Sequence, residues 1–253
     1  MSGIDGRGVV RGATAGRRYI AEAGRLVARL ATDEWPSLDA AADLVADALA
    51  GGGDIHAFGT GHSHMLAEEL FYRAGGLVRV KPILFEGLML HAGAELSTAL
   101  ERLPGIAAAI LDQHPMRAGD VLVVASNSGG NAVVGELAGL ARARGVPVIA
   151  ILSRAHASSA ASRAAGRPNL QDIADVVIDN GGVIGDAAVA VDGFANRVGP
   201  TSTVVGAAAL NAIVAEAVAR LVARGITPEV FLSSNVDGGD EVNARLLHPE
   251  GGR

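Results

Sequence analysis

The chain has 253 residues, a formal net charge of −6 at pH 7, no cysteine and only 3% aromatic residues. This length suits one large α/β domain or two small ones, and the missing cysteine excludes disulfides and thiolate metal sites. The acidic balance without a run of Lys or Arg argues against a nucleic-acid partner, and no uninterrupted apolar run approaches the roughly 20 residues that a membrane-spanning helix needs.

The N-terminal part of the chain contains a polar stretch followed by two predicted helices. Residues 1–13 are rich in Gly and Arg and lack the apolar core of a signal peptide, so we expect them to be disordered and the protein to be cytoplasmic. Apolar residues then recur at helical spacing over residues 19–30 and again over residues 38–49. Nothing suggests an internal linker after residue 35, so residues 14–253 are predicted to form one domain.

Short apolar segments alternate with helical patterns through the rest of the chain. The predicted strands are residues 54–58, 77–85, 121–124, 148–152 and 174–179. Pro82, which lies within the second of these strands, indicates an edge or irregular position. Because strands alternate with helices, the sequence predicts βαβ units, a parallel sheet and right-handed crossovers.

The predicted helices between and after these strands are less regular. Residues 86–112 are predicted to be helical and divided at Pro104, whereas residues 154–170 are hard to assign. A long helix is predicted to start within residues 199–203, where a proline is followed by hydroxyl-bearing residues. The tail, residues 231–253, is polar and is predicted to be a loop.

Two of the predicted strands end in small polar turns, at residues 59–64 and 126–131. Glycine in such a turn lets the backbone approach a ligand, while the following helix offers free N–H groups and the serine hydroxyls add donors. A plain helix-capping turn would have the same composition. Because the carboxyl ends of parallel strands share one edge of a sheet, both turns, residue 153 and the loop of residues 180–185 are expected to converge there. Two such turns favour a phosphate-bearing ligand.

The chain lacks the Gly-x-x-x-x-Gly-Lys-[Ser/Thr] sequence of a P-loop. Its Gly59-Thr-Gly61 segment also lacks the third glycine of a dinucleotide fingerprint. Nucleotide binding and a nicotinamide cofactor are therefore poorly supported.

Several of these motifs together resemble the sugar isomerase (SIS) domain family. Residues 120–131, Asp-Val-Leu-Val-Val-Ala-Ser-Asn-Ser-Gly-Gly-Asn, and residues 145–153, Gly-Val-Pro-Val-Ile-Ala-Ile-Leu-Ser, resemble its central motif: a strand, a Ser-x-Ser-Gly-x-Thr turn, a helix and a strand ending in Thr or Ser. Residues 58–63, Phe-Gly-Thr-Gly-His-Ser, resemble its first motif, Gly-x-Gly-x-Ser. Four further segments are similar to a bacterial subfamily of phosphosugar-binding, phosphoheptose-isomerase-like proteins: residues 62–71, 174–180, 199–203 and 237–240.

The resemblance covers most of residues 14–248. It implies a three-layer αβα sandwich with a central, mainly parallel five-stranded sheet, doubly wound as in flavodoxin. It also implies a small-molecule sugar phosphate as the ligand, and a homodimer or homotetramer as the assembly.

In SIS domains the hydroxyls of the central turn bind the sugar phosphate, and the first-loop serine faces the sugar. Carried over by position, the resemblance implies a phosphosugar-binding set that consists of Gly61, Ser63, Ser126, Asn127, Ser128, Asn131 and Ser153. Asn131 stands where the family usually has Thr, but its amide can still donate a hydrogen bond.

Aldose–ketose isomerisation needs a base that moves a proton between adjacent carbons and an acid that shuttles protons on oxygens. Glu68 and Glu69 follow the first loop on a predicted helix, and His62 lies in the loop, so these three are the predicted catalytic residues. Ordinary helix surface for the glutamates, and a capping role for His62, are the alternatives. His64 and Glu68 share a helix face and could hold Zn²⁺, which some phosphoheptose isomerases use. Because only two ligands are evident, we expect no metal and no other cofactor.

We therefore predict a phosphosugar-binding enzyme that catalyses aldose–ketose isomerisation or a related proton transfer on a sugar phosphate. Two alternatives stay open: a non-catalytic phosphosugar sensor, and an etherase- or deglycase-type lyase that acts on an amino-sugar phosphate. Sensors of this family are normally fused to a helix-turn-helix domain, and the first 35 or so residues carry no basic recognition-helix pattern.

Overall fold

The computed structural model describes residues 14–163 and 166–248, except for the side chain of Arg163. The predicted disorder of residues 1–13 lies outside the described residues. The central sheet has five strands: β1 (Ile55–Gly59), β2 (Val80–Ile83), β3 (Val121–Ala125), β4 (Val148–Leu152) and β5 (Val176–Asp179). All neighbouring pairs in it are parallel, and their order is β2-β1-β3-β4-β5. This is the doubly wound order of flavodoxin, which the family resemblance implies.

The described residues also form eleven α-helices and a two-stranded hairpin. The helices are α1 (Ala15–Leu30), α2 (Trp35–Ala50), α3 (His64–Leu70), α4 (Ala94–Glu101), α5 (Ile106–Gln113), α6 (Ala132–Ala143), α7 (Arg154–Ala157), α8 (Ala160–Arg163), α9 (Leu170–Ile173), α10 (Ser202–Ala223) and α11 (Gly239–Leu247). The antiparallel hairpin pairs β6 (Ala187–Val189) with β7 (Val198–Pro200).

Two apolar clusters, one on each face of the sheet, make the fold a three-layer sandwich. Alternate residues of a strand point to opposite faces, so Val121 and Val123 pack with α2 and α10, whereas Leu122 and Val124 pack with α5 and α6. Every residue of β1, β3 and β4 is buried. Strands covered on both faces are mostly apolar, which explains the apolar segments in the sequence, and His56 in β1 is the exception.

The edge position predicted from Pro82 is confirmed, because β2 is the first strand of the sheet. The prediction of continuous helix over residues 86–103 is wrong in its first part. Two short 3-10 turns, Glu86–Leu88 and Leu90–Ala92, precede α4. The backbone leaves the helical conformation at Met89, whose ψ is 149°, and again at Gly93, whose φ is 142°.

The polar tail is not only loop, because it contains α11. Asp240 and Glu241 lie in its first turn, where carboxylates are favoured by the helix dipole. The side chain of Asn243 donates to the carbonyl of Leu232 and accepts from its N–H group, both at 2.9 Å. These contacts fasten α11 to the rest of the tail.

By length and mean hydropathy, 1.6, α10 is the one helix in the described part of the chain that could cross a membrane. In the structure it packs against α2 and α3, and Leu210, Ile213 and Leu221 belong to the apolar core. Packing in the core therefore accounts for the apolar residues on the buried face of this helix.

A buried histidine, His56, is expected to make the stability of the fold depend on pH. His56 on β1 is 4% exposed, and its Nε2 lies 3.3 Å from the carboxylate of Asp120. Burial lowers the pKa of His56 below its usual 6.5, against the opposing effects of Asp120 and Asp54, and nearby His114 lowers it further. The folded protein therefore favours the neutral imidazole.

We expect the free energy of unfolding to fall as the pH is lowered through about 6.5, because the unfolded chain then takes up a proton that folded His56 resists. The loss should level off once the pH is below the folded pKa. Urea denaturation at about pH 7.5 and about pH 5.5 would measure it, and His56→Gln should show a shallower dependence. Since burial also lowers the pKa of His114, part of the slope should remain in this variant. An unchanged slope in His56→Gln would contradict the assignment.

Candidate functional site

The polar turns meet at the carboxyl edge of the sheet, as the sequence predicts. Gly59 at the end of β1 pairs with Ala125 at the end of β3, so the two turns start at the same level. The N–H group of Ser153 donates to the carbonyl of Asn127 at 3.1 Å, and that of Asn180 donates to the carbonyl of Leu152 at 2.8 Å. The ends of four neighbouring strands therefore form one continuous polar rim.

The serine turn, residues 126–131, carries hydrogen-bond donors that have no acceptor. The side chain of Asn131, the N-cap residue of α6, makes no capping hydrogen bond. Among the described residues, nothing accepts a hydrogen bond from the N–H groups of Gly130 and Asn131 or from the half-buried hydroxyl of Ser128. Unpaired N–H groups at the start of a 12-residue helix carry a partial positive charge, which favours an anion there.

Ser126 supports the turn from below. It is 5% exposed, and its Oγ accepts a hydrogen bond from the N–H group of Gly129 at 3.2 Å. Its own hydroxyl hydrogen stays available, because an oxygen that accepts can still donate. Ser126 can thus shape the turn and donate to a ligand at the same time.

Ser153 lies just beyond β4, where the resemblance implies it, but its hydroxyl is engaged within the protein. Its exposed fraction is 0%, and its hydroxyl donates to the carbonyl of Gly182 at 2.5 Å and accepts from the N–H group of His156 at 3.1 Å. A hydroxyl that is buried and bonded on both sides has no capacity left for a sugar phosphate. Ser153 instead fastens the loop of residues 180–185 to the end of β4.

This loop reaches the serine turn through an amide pair. Asn180 is 3% exposed, and its Nδ2 donates to Oδ1 of Asn127 at 2.9 Å. Oδ1 of Asn180 accepts from the N–H group of Gly182 at 2.8 Å. The side chain of Asn127 is therefore held towards the loop, and its remaining capacity to donate lies in its own amide nitrogen.

The start of α10 also lies at this rim, but a carboxylate occupies it. Asp186 accepts hydrogen bonds from the N–H groups of Thr201, at 3.1 Å, and Ser202, at 3.0 Å, and from the Ser202 hydroxyl. A Cβ on Gly182 would lie 3.6 Å from Oδ1 of Asp186 and 3.8 Å from Oδ1 of Asn127. Two long helices thus begin beside each other, and a carboxylate of the protein already lies at the start of α10.

The first loop, residues 60–63, presents two polar side chains without partners. His62 is exposed and Ser63 is half-buried, and neither side chain has a hydrogen bond within the described residues. Gly61 has a φ of 56°, which glycine adopts readily, and its carbonyl bonds with Nδ1 of His64.

The two predicted catalytic glutamates differ in how many partners their carboxylates have. Oε1 of Glu69 accepts from Nδ2 of Asn211 at 2.7 Å and is paired with the Arg73 guanidinium. The side chain of Glu68 is 48% exposed, and Nε2 of the His64 imidazole lies 3.7 Å from its carboxylate. Both glutamates line an open cleft of about 520 Å³, together with Met65, Arg73 and Ala74.

The two glutamates do not contact the serine turn through polar groups. In the described part of the chain, no hydrogen bond or ion pair connects either of them to residues 126–131. In the same part, no group of three or more His, Asp or Glu side chains could hold a metal ion. The zinc alternative therefore gains no support beyond the pair of His64 and Glu68.

Residues 18–153 match the family described as "SIS domain". The chain is 46% identical over 214 residues to a UPF0309 protein of Geobacillus thermodenitrificans, with 85% of this chain and 86% of the relative covered. It is 44% identical over 223 residues to a UPF0309 protein of Listeria innocua, with 88% and 90% covered.

Two solved structures share the fold at low sequence identity. The phosphoheptose isomerase of Francisella tularensis gives a TM-score of 0.52 at 15% identity, with 79% of this chain and 95% of that chain covered. The Vibrio vulnificus NanR protein complexed with ManNAc-6P gives a TM-score of 0.53 at 18% identity, with 94% and 70% covered. At these identities the likeness concerns the fold.

Proposed function

Because the chain belongs to the SIS domain family and to the UPF0309 proteins, we propose that its serine turn binds the phosphate group of a sugar phosphate. The observation that carries this proposal is the start of α6. The N–H groups of Gly130 and Asn131, which immediately precede it, and the Ser128 hydroxyl lack acceptors in the described residues, and they lie at the carboxyl edge of a parallel sheet. Such neutral donors can hold a phosphate without a lysine.

The sugar would lie between the serine turn and the first loop. Both begin at the same level of the sheet, and the first loop presents the unpartnered side chains of His62 and Ser63. The names of the two structural relatives refer to a phosphoheptose isomerase and to a protein complexed with ManNAc-6P, which agrees with a sugar phosphate as the ligand class.

For the reaction, we propose aldose–ketose isomerisation or a related proton transfer, with Glu68 as the base. The base removes a proton from the carbon next to the carbonyl group and returns it to the adjacent carbon, while an acid shuttles the proton between the two oxygens. Glu68 is preferred to Glu69 because Oε1 of Glu69 is occupied by Arg73 and Asn211. His62, exposed in the first loop, is the proposed acid.

A thermal-shift panel tests the binding. Each sugar phosphate is paired with its unphosphorylated sugar and with inorganic phosphate, in the presence of a chelator because no metal is expected. A ligand present at about 100 times its Kd should stabilise the protein by roughly 2.7 kcal/mol. We expect one sugar phosphate to stabilise the protein by about this amount, and its unphosphorylated sugar to leave the stability unchanged. Equal responses to free sugars, or none to any sugar phosphate, would refute the proposal.

A product assay with the stabilising ligand then separates an enzyme from a sensor. Isomerised or eliminated product is expected, and its structure would distinguish isomerase from lyase chemistry. Tight binding without any product would instead favour the non-catalytic sensor. The homo-oligomeric state and the cytoplasmic location stay predictions that size measurements and fractionation would check.

A further inference from the structure

We infer that Asn169 is a positioning residue for the serine turn: its side-chain amide holds the carbonyl group of Ser128 while the N–H group of the next residue, Leu170, holds that of Gly129, so that the N–H group of Gly130 faces the phosphate. This inference rests on the proposed function, since it concerns the same turn. Asn169 lies outside every motif by which the sequence resembles its family. It is 1% exposed and comes just before α9.

Two consecutive carbonyl groups of the turn are held by three residues that follow it in the chain, Ser162, Asn169 and Leu170. Nδ2 of Asn169 and the hydroxyl of Ser162 both donate to the carbonyl of Ser128, at 3.0 and 2.6 Å. The N–H group of Leu170 donates to the carbonyl of Gly129 at 2.9 Å. Asn169 also donates to Oγ of Ser162 at 3.0 Å, so the two side chains that hold Ser128 are linked to each other.

Because the peptide bond is planar, fixing the orientation of a carbonyl group also fixes the orientation of the N–H group of the next residue. In a trans peptide, the C=O of one residue and the N–H of the next point in opposite directions. With the carbonyl of Ser128 fixed, the N–H of Gly129 must face the other way, where Oγ of Ser126 accepts it at 3.2 Å. With the carbonyl of Gly129 fixed by Leu170, the N–H of Gly130 must point away from α9, and it is one of the donors without an acceptor.

The two glycines of the turn are what allow this approach. A Cβ on Gly129 would lie 2.5 Å from Oδ1 of Asn169, and a Cβ on Gly130 would lie 2.4 Å from the carbonyl oxygen of Ser162. Gly129 also has a φ of 62°. Both glycines therefore allow the close contact with Ser162 and Asn169, in addition to any close approach of the ligand.

The two ends of the Asn169 amide have separate tasks. Its Oδ1 accepts from the N–H group of Gln171 at 3.2 Å and so caps α9, while its Nδ2 holds the serine turn. Serine is an equally good capping residue but is too short to reach the carbonyl of Ser128. Asn169→Ser is thus expected to keep the helix cap, to add no charge and to lose the hold on the turn.

The test compares the affinity of three proteins for inorganic phosphate by calorimetry: wild type, Asn169→Ser and Asn243→Ser. Asn243 is a matched control, because it is 4% exposed and also bonds backbone groups, those of Leu232, on a different part of the surface. We expect Asn169→Ser to bind phosphate about tenfold more weakly, as the loss of one aligned donor would cause. Asn243→Ser should lose thermal stability and keep the wild-type affinity. The amide NMR signal of Gly130 should shift with phosphate in wild type and much less in Asn169→Ser.

Each outcome points to one conclusion. If wild type and Asn169→Ser bind phosphate equally, or if Asn243→Ser weakens binding as much, the positioning role is refuted and the proposed function is untouched. If wild type binds neither phosphate nor any sugar phosphate, the proposed function fails and this inference with it. If Asn169→Ser fails to fold, the test uses Ser162→Ala, which removes the other donor to the carbonyl of Ser128. This variant is expected to bind phosphate severalfold more weakly than wild type. An unchanged affinity for phosphate would contradict the inference.

Discussion

Ser128→Asp is expected to abolish sugar-phosphate binding while the protein stays folded. Ser128 is half-buried, its hydroxyl has no acceptor in the described residues, and it lies beside the unpaired N–H groups that begin α6. A carboxylate there would occupy those donors and repel the phosphate. We expect the affinity for the sugar phosphate to fall at least about 100-fold, since bringing the new carboxylate next to the bound phosphate places two like charges together, which costs several kcal/mol. Titration calorimetry with the ligand identified in the panel measures it.

The same substitution should change the stability of the unliganded protein in the opposite direction. A negative charge near the start of a helix is favourable by about 0.3–1 kcal/mol, so Ser128→Asp is expected to raise the free energy of unfolding slightly. Ser234→Asp is the matched control, because Ser234 is exposed in the tail and the change in charge is identical. A Ser128→Asp protein that binds within tenfold of wild type would exclude the serine turn as the phosphate site.

Glu68→Gln is expected to remove turnover and to leave binding nearly unchanged. The substitution keeps the size of the side chain but removes its capacity to accept a proton, and a positioned base contributes about 10²- to 10⁴-fold to such reactions. We therefore expect a loss of kcat in this range with little change in affinity. The measurement is steady-state kinetics together with calorimetry, on the sugar phosphate that the panel identifies.

Glu69→Gln provides the comparison for this experiment. It alters the neighbouring carboxylate, whose Oε1 is paired with Arg73 and accepts from Asn211. Its expected effect is a modest loss of stability with most of the turnover retained. If Glu69→Gln proves inactive and Glu68→Gln active, Glu69 is the base and its pairing with Arg73 must open during the reaction.

The fold followed closely from the sequence because its signals are local. Five apolar segments separated by helical patterns predicted the five strands, and Pro82 predicted the edge strand. The hairpin of β6 and β7 gave no such signal, since its strands have three residues each and are only partly buried. α11 was missed because the segment that contains it is polar, and a polar segment does not show the apolar stripe of a core helix.

A local signal for Asn169 does exist in the sequence. Asn169 and Asp172 form a capping box at the start of α9, which the pattern of an Asn followed three residues later by an acidic residue could have indicated. That pattern would have predicted a short helix start. It could not have predicted the contact with Ser128, because the partner lies 41 residues away.

By itself, the sequence determined that the chain forms a parallel α/β sheet with two polar turns at one edge. Periodicity and turn composition act over a few residues, and parallel strands bring their ends together whatever the details of packing. The tertiary structure decided which polar side chains are free. Ser153 is committed to Gly182, 29 residues away, and Glu69 to Asn211, 142 residues away, whereas Ser128 and Glu68 keep unsatisfied groups. Hydrogen-bond partners so distant along the chain become neighbours only when the layers have packed, and for this reason the sequence could name the candidates but not choose among them.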